Sequence, residues 1–132
     1  MGETFKLVGK HFATALPARG VDLTQEQLSL MHVINQTKES TQQELSSILH
    51  KDKSGILRLT DELERKKLVV RQADTQDRRK KSLVLTEKGT EIMVKALAVE
   101  ADVLTKLLAG VTDQELDVFL SVLHKIQRNG RD

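Results

Sequence analysis

Apolar residues recur every three or four positions along most of the chain, a spacing that predicts six helices. Each helix after the first starts at a residue whose side chain can accept a backbone N–H, namely Thr24, Thr41, Asp52, Thr86 and Thr112. Three of these caps are followed three residues later by Gln or Glu, which is the spacing of a capping box. The predicted helices cover about 3–17, 25–36, 42–49, 53–66, 87–109 and 113–128.

The pattern changes between the fourth and fifth helices. Residues 68–70 and 83–85 are β-prone, and the segment between them, 73–81, is charged and typical of a turn. These features predict a β-hairpin with a basic tip. The expected fold is therefore mainly α (α+β), with the order α-α-α-α-β-β-α-α.

The helix predicted over 53–66 separates its residues into two faces. At about 100° per residue, Ile56, Leu59, Thr60 and Leu63 fall in one arc and should point inward. The opposite arc is polar, and Leu57 lies on its flank. That arc contains Ser54, Arg58, Asp61 and Arg65.

The long helix predicted over 87–109 is apolar on most sides, and such a helix needs partners on most sides. The first and last helices are strongly amphipathic but do not provide enough chain to cover it. We therefore expect the terminal helices to interleave with those of a second subunit in a homodimer.

Composition excludes several classes of function. The chain has 132 residues and no cysteine, so disulfides, thiolate catalysis and Cys-ligated zinc are excluded. No apolar run approaches the roughly 18 residues of a membrane span, and the N-terminus lacks the apolar core of a secretory signal. We therefore expect a cytoplasmic protein that does not associate with a membrane.

No catalytic or cofactor-binding motif is present, including GxGxxG, P-loop, HExxH, EF-hand and GxSxG patterns. We therefore expect neither an enzyme nor a bound cofactor or metal. The four histidines are spread over four predicted helices, and a metal or ligand sensor built on them stays an alternative. They are His11, His32, His50 and His124.

Positive charge is concentrated in the middle of the chain. Residues 51–81 contain eleven basic and six acidic side chains, a net charge of +5, although the whole chain carries only +2. A basic segment between acidic ends is typical of a surface that binds a polyanion. A solvated helix face and a solvated turn would explain the same charges.

A helix-turn-helix over 42–66 followed by a basic hairpin suits double-stranded DNA. The N-terminal residues of a recognition helix reach base edges in the major groove. The predicted base contacts are Lys53, Ser54, Leu57 and Arg58. Arg58 is the candidate for a bidentate guanine contact, although an ordinary surface arginine would show the same pattern.

The remaining predicted contacts are to the phosphates and the minor groove. A free helix N-terminus favours a phosphate, and Gly55 lets the backbone approach closely. An arginine at the hairpin tip can enter the narrow minor groove, with Asp77 holding it in position. Arg79 is the candidate for that contact, and the phosphate candidates are Thr41, Lys51, Gly55, Arg78, Lys80 and Lys81.

The stretch from Glu44 to Gly89 resembles the MarR family of bacterial winged-helix regulators. Its most specific part is similar to the family's wing signature, an Asp-x-Arg-x-Lys/Arg core that runs into Leu-Thr-x-x-Gly. In this chain the matching residues are Asp77, Arg79, Lys81, Leu85, Thr86 and Gly89.

The resemblance implies a winged helix-turn-helix with a two-stranded β-wing and an intertwined helical dimerisation region. The two parts would be residues 37–86 for the DNA-binding lobe, and 1–36 with 87–132 for dimerisation. It also implies a sequence-specific regulator, most often a repressor, that binds a pseudo-palindromic operator and is released by a small-molecule effector. Arg79 would enter the minor groove while Asp77 braces the wing.

This chain departs from the family pattern at two positions. Lys67 replaces a frequent glycine after the recognition helix, so we expect a non-glycine left-handed residue or a different turn there. Gly55 replaces a small polar residue and removes a side chain that could read a base. A winged-helix module that binds an acidic protein surface instead of DNA stays a second alternative.

Overall fold

The computed structural model describes residues 1–37, 40–73, 76, 77, 79 and 81–131. Within this part of the chain, six helices and a three-stranded antiparallel sheet form the fold. The helices are α1 Gly2–Ala18, α2 Gln25–Gln36, α3 Gln42–Leu49, α4 Lys53–Arg65, α5 Glu87–Leu107 and α6 Asp113–Gly130. The strands are β1 Ser40–Thr41, β2 Val69–Ala73 and β3 Lys81–Leu85, in the spatial order β1-β3-β2.

The predicted helix caps are confirmed. The Thr24 hydroxyl accepts the N–H of Gln27 at 3.1 Å, and the Gln27 side chain accepts the N–H of Thr24 at 3.2 Å, which completes the capping box. Thr112 and Glu115 form the second box at the start of α6. These local hydrogen bonds satisfy N–H groups that a helix start leaves unpaired, so they fix where each helix begins.

The predicted order of helices and wing strands is confirmed, and the sheet contains two additions. The wing strands extend two to three residues further toward the tip than the β-prone residues do, because backbone pairing continues through Arg71–Ala73 and Lys81–Ser82 whatever the side chains. Ser40 and Thr41 add a third strand by pairing with β3. Two residues are too short to show a period, so the sequence pattern did not predict β1.

Helix α2 lies at the centre of one continuous hydrophobic core. Its buried side chains pack on α3, α4 and β3 on one side and on α5 on the other. The inward face predicted for α4 is confirmed, since Ile56, Leu59, Thr60 and Leu63 are all buried. The α2 side chains are Leu28, Leu30, Met31 and Ile34, and α5 contributes Met93, Ala96 and Val99.

The turn between α4 and β2 uses a left-handed lysine. Lys67 has φ of +62°, so the non-glycine left-handed residue expected at this position is present. Beyond the turn, Arg71 of β2 forms ion pairs with Asp61, at 3.2 Å, and with Glu64 on α4. The turn and these pairs fix the direction in which β2 leaves α4.

Helices α1 and α6 leave large apolar side chains in solvent. None of the side chains of α6, all of which belong to the described part of the chain, is buried. Its exposed apolar residues include Val118, Phe119, Val122 and Ile126, and α1 adds Phe5 and Leu7. The four α6 residues share one face of the helix, and an exposed apolar helix face is typical of an interface. Within the described residues, no helix is both long and apolar enough to cross a lipid bilayer.

The start of α5 lies against the end of the α4–β2 turn. A Cβ added to Gly89 would lie 2.1 Å from the backbone oxygen of Leu68. The same oxygen accepts the N–H of Thr86 at 3.0 Å, and the Thr86 hydroxyl donates to the backbone oxygen of Lys67 at 2.7 Å. Glycine is therefore required at position 89 by the close approach of two backbones.

Gly89→Ala should destabilise the fold by about 1–3 kcal/mol, because the added methyl group must displace backbone atoms. Without that clash, alanine within a helix would stabilise it by about 0.5–1 kcal/mol relative to glycine. Denaturant unfolding followed by circular dichroism measures the difference. Gly9→Ala in α1, where a Cβ meets nothing within 4 Å, is the matched control and should not destabilise. Equal stability of the two variants would contradict the steric argument.

Candidate nucleic-acid interface

Helix α4 presents a polar surface away from the core. Opposite its buried face, Lys53, Ser54, Leu57 and Arg58 are exposed, and Leu57 keeps 45% of its surface accessible. An exposed leucine between a lysine and an arginine provides apolar contact and hydrogen-bond donors on one helix face. Those are the groups that read thymine methyls and guanine acceptors in a major groove.

The first turn of α4 is organised by its cap. The Asp52 carboxylate accepts the N–H of Gly55 at 2.8 Å and the hydroxyl of Ser54 at 3.2 Å. A Cβ at Gly55 would lie 2.8 Å from the same carboxylate, so the tight cap favours glycine at this position. The N–H of Gly55 and the hydroxyl of Ser54 are thus already hydrogen-bonded within the protein.

Two predicted DNA contacts take part in ion pairs. Glu26, in the first turn of α2, lies 3.1 Å from the ammonium of Lys51 and 3.5 Å from the guanidinium of Arg58. Arg58 also lies 3.2 Å from Glu62, one turn further along α4. Arg58 is therefore held between two carboxylates, one on its own helix and one on α2.

Glu62 is itself fixed by a buried side chain. Gln27, only 4% exposed, donates a hydrogen bond from its amide nitrogen to Glu62 at 2.8 Å. That hydrogen bond, assisted by the charge and hydrogen bond of Arg58, lowers the pKa of Glu62. The ammonium of Lys66 donates to the amide oxygen of Gln27 at 3.1 Å. A polar network thus joins the recognition helix to the start of α2.

A groove lies between α3 and the wing. It is lined by the N-terminal residues of α3 and by three basic side chains, Arg71, Arg79 and Lys81. The Asp77 carboxylate accepts the backbone N–H of Arg79 at 3.0 Å, so it braces the wing through the main chain. The groove therefore combines the N-terminus of α3 with the Arg79 and Lys81 cations and the Glu44 carboxylate, while the Arg71 guanidinium is paired with Asp61 and Glu64.

The structure places most of the described site residues either on α4 or in the groove. Lys53, Leu57 and Arg58 share the exposed face of α4, while Arg79, Lys81 and Thr41 line the groove. The Thr41 hydroxyl accepts the N–H of Glu44 and donates to its carboxylate, so it serves as a cap in this structure. Arg78 and Lys80 lie outside the described residues.

The residue pattern did not single out Glu26, Gln27, Glu62 or Arg71 as parts of the site. Two signals were present in the sequence. Arg58 and Glu62 have the i, i+4 spacing of a helix ion pair, and the capping box already placed Gln27 at the start of α2. The pairing of Glu26 with Arg58 joins residues 32 positions apart, and no local pattern contains it.

The histidines do not converge in the described part of the chain. No group of three His, Asp or Glu side chains there is arranged to hold a metal ion. His11 lies on α1, His32 on α2 and His124 on α6, while His50 ends α3 in a left-handed conformation with φ of +53°. The described geometry therefore gives no support to the metal-sensor alternative.

Comparison with known proteins agrees with this geometry. Residues 23–81 match the MarR family, a segment that spans α2, the helix-turn-helix and most of the wing. The fold is similar to that of CouR from Rhodococcus jostii RHA1 bound to p-coumaroyl-CoA. Those two chains are 26% identical with a TM-score of 0.83, over 95% of this chain and 87% of CouR.

Two structures of DNA complexes share the fold. The MepR–DNA complex from S. aureus matches with a TM-score of 0.81 and 22% identity, over 96% of this chain and 91% of MepR. A mutant MarR from E. coli complexed with operator DNA matches with a TM-score of 0.80 and 23% identity, over 95% and 91% of the two chains. Segment 23–81 thus matches the MarR family, and the fold of the chain is that of MarR-type winged-helix transcription regulators.

Proposed function

We propose that this chain is a sequence-specific repressor that binds a pseudo-palindromic operator as a homodimer in the cytoplasm. The observation that carries the proposal is the exposed face of α4, where Lys53, Leu57 and Arg58 stand out from a fully buried opposite face. The DNA-bound MepR and MarR structures of the same fold support it. Residues 37–86 would form the DNA-binding lobe.

Each part of the surface has a separate task in this proposal. Lys53, Ser54, Leu57 and Arg58 would meet base edges in the major groove, where sequence is read. Arg79, on the wing braced by Asp77, would enter the minor groove. Cationic and N–H groups near the helix starts would contact phosphates, which supply affinity without sequence preference. These are Thr41, Lys51, Gly55, Arg78, Lys80 and Lys81.

The exposed apolar faces of α1 and α6 support the homodimer. Residues 1–36 and 87–132 would supply its interface. Phe119 on α6 is 57% exposed and Phe5 on α1 is 76% exposed, which is unusual for phenylalanine in an isolated domain. A helix such as α6 gains most of its stability from packing its apolar face, yet none of the α6 side chains is buried within the described chain. A second copy would cover it.

Selection of bound sequences from a random duplex library should recover an inverted repeat, and Arg79→Ala should bind it more weakly. Loss of Arg79 removes one cationic contact to the DNA and the counterion release that goes with it. The plot of log K against log salt concentration should therefore become less steep by about 1. Fluorescence anisotropy at several salt concentrations measures both quantities, with Arg131→Ala near the C-terminus as a charge-matched control. Without an enriched motif, and with binding indifferent to DNA sequence, the protein-interaction alternative would replace this proposal.

Phe119→Asp should convert the dimer to a monomer at micromolar concentration, because a buried, unpaired carboxylate at an apolar interface is strongly unfavourable. Sedimentation velocity separates a 14.8 kDa chain from its dimer. Leu57→Asp places the same charge on an exposed apolar residue of α4 and should leave the dimer intact while abolishing operator binding. A wild-type chain that sediments as a monomer would refute the homodimer.

We also propose that a small-molecule effector releases the DNA, as the family resemblance implies, and a cavity between α2 and α5 supports this. Its apolar lining comes from Leu28, Leu49, Met93 and Leu97, and its polar groups are His32, Glu100 and Gln25. The Gln25 amide nitrogen is buried and, within the described residues, has no hydrogen-bond partner. A buried donor without a partner is unfavourable, so a rotation of the Gln25 side chain that brought this N–H to a ligand acceptor would gain a hydrogen bond. Among the described residues that line this cavity there is no Phe, Tyr or Trp, which favours an aliphatic effector over one bound by stacking on such a ring.

Glu100→Gln should stabilise the protein at neutral pH but not in acid. Partial burial raises the pKa of Glu100 above its ordinary 4.5, although the charge of His32 opposes the shift. The folded protein then binds a proton more tightly than the unfolded chain, so stability falls as pH rises from the ordinary pKa through the raised one. Glu100→Gln has no carboxyl group to titrate at this position, so its stability does not fall with pH in this way.

Denaturant unfolding across this pH range measures the difference between Glu100→Gln and wild type. Glu91→Gln, an exposed glutamate on the same helix, is the control and should not reproduce the gain at neutral pH. An identical difference at acid and neutral pH would show that burial does not disfavour the charge at Glu100.

A further inference from the structure

The Glu26 carboxylate on α2 forms ion pairs with two basic side chains that the proposed function assigns to DNA contacts. Glu26 lies 3.1 Å from Lys51, in the turn before α4, and 3.5 Å from Arg58 on α4. Lys51 and Arg58 are the phosphate and base candidates on either side of the α4 N-terminus. A DNA phosphate carries the same charge as Glu26, so the two anions would compete for the same donors.

We propose that Glu26 is a specificity-determining residue that competes with DNA phosphates for Lys51 and Arg58 and thereby weakens sequence-independent binding. The inference rests on the proposed function, since it concerns the same DNA surface. It adds a residue that lies outside both the helix-turn-helix and the wing, and that acts against binding.

Glu26 takes no part in the cap hydrogen bonds or the core, and its local role is that of an acidic residue in the first turn of α2. The α2 N-terminus is capped by Thr24 and Gln27, and the Glu26 side chain is 52% exposed. Exposed ion pairs contribute little to folding stability. The two pairs are therefore weakly held by the fold, which leaves them free to be exchanged for contacts with a ligand.

Glu62 differs from Glu26 in the way it is held. The buried amide of Gln27 fixes one oxygen of Glu62 at 2.8 Å, while the other oxygen lies 3.2 Å from Arg58. Glu62 would therefore remain beside Arg58 when DNA binds and orient its guanidinium. Glu26 has no comparable hydrogen bond to a buried group among the contacts of the described residues, so it is the partner that DNA displaces.

The exchange discriminates between DNA sequences. When a phosphate of any DNA sequence displaces Glu26 from Arg58, one anion replaces another. The binding free energy gained at Arg58 is therefore small. A guanine offers two acceptors in a fixed geometry, which a guanidinium held by Glu62 can meet in a bidentate contact. Competition from Glu26 should therefore suppress binding to unrelated DNA more than binding to the operator.

Glu26→Gln tests the inference against the wild type on the selected operator and on a scrambled duplex. We expect the Kd for scrambled DNA to fall by about three- to tenfold and the operator Kd to fall less, so that their ratio drops. The release of two cations should also steepen the salt slope by about one to two. Anisotropy titrations measure both, and thermal unfolding verifies that the variant is folded.

Asp22→Asn is the matched control, because it removes one carboxylate close to α2 that faces Lys66, at 3.7 Å, and not a proposed DNA contact. Asp22→Asn should change the Kd values for the operator and the scrambled duplex much less than Glu26→Gln does. In an Arg58→Ala background, the effect of Glu26→Gln should shrink to the part that Lys51 contributes.

Unchanged affinities and slopes for Glu26→Gln, or an equal effect of Asp22→Asn, would overturn the competition by Glu26 while leaving DNA binding intact. If the wild-type protein bound the operator and the scrambled duplex with equal affinity, the proposed function would be overturned, and the inference with it.

Discussion

Helix α2 has to be buried on two sides at once, and the rest of the structure depends on this constraint. Its apolar residues pack against the helix-turn-helix on one side and against α5 on the other. A short helix of twelve residues therefore joins the reading surface to the long helix that leads into α6. Any displacement of α5 must move or strain α2, because close-packed interiors have few empty spaces to absorb a shift.

The same helix contributes the polar groups that hold α4. Gln27 is buried and hydrogen-bonded through both its oxygen and its nitrogen, accepting from Thr24 and Lys66 and donating to Glu62. A buried amide is tolerated because all of these bonds are made, and it restricts the orientation of α4 in a way that leucine contacts alone would not. Gln25, two residues earlier on the other side of the helix, lines the cavity beside α5. The first turn of α2 thus lies between a cavity and a recognition helix.

The sequence predicted those features that depend on neighbours within about four residues. The caps and the inward face of α4 follow from local hydrogen bonding and helix period, and both are confirmed. The left-handed Lys67 is one of the two outcomes that the family resemblance left open at that position. The ion pairs of Glu26 and the hydrogen bond from Gln27 to Glu62 join residues 25 to 35 positions apart, so they depend on how the helices pack. Strand β1 exists only because β3 is there to pair with it. The individual DNA contacts stay predictions.

The close approach of Gly89 to Leu68 has a consequence for genetics. Gly89 belongs to the wing signature, yet its Cα faces a backbone oxygen inside the protein and no part of the proposed DNA surface. If the proposed function holds, a screen for loss of repression would recover substitutions at Gly89 together with those at Arg79. The first class would lower the amount of folded protein, and the second would lower the affinity of a fully folded one. A signature motif in this chain therefore mixes a requirement of folding with a requirement of recognition, and only a measurement of protein abundance beside activity separates them.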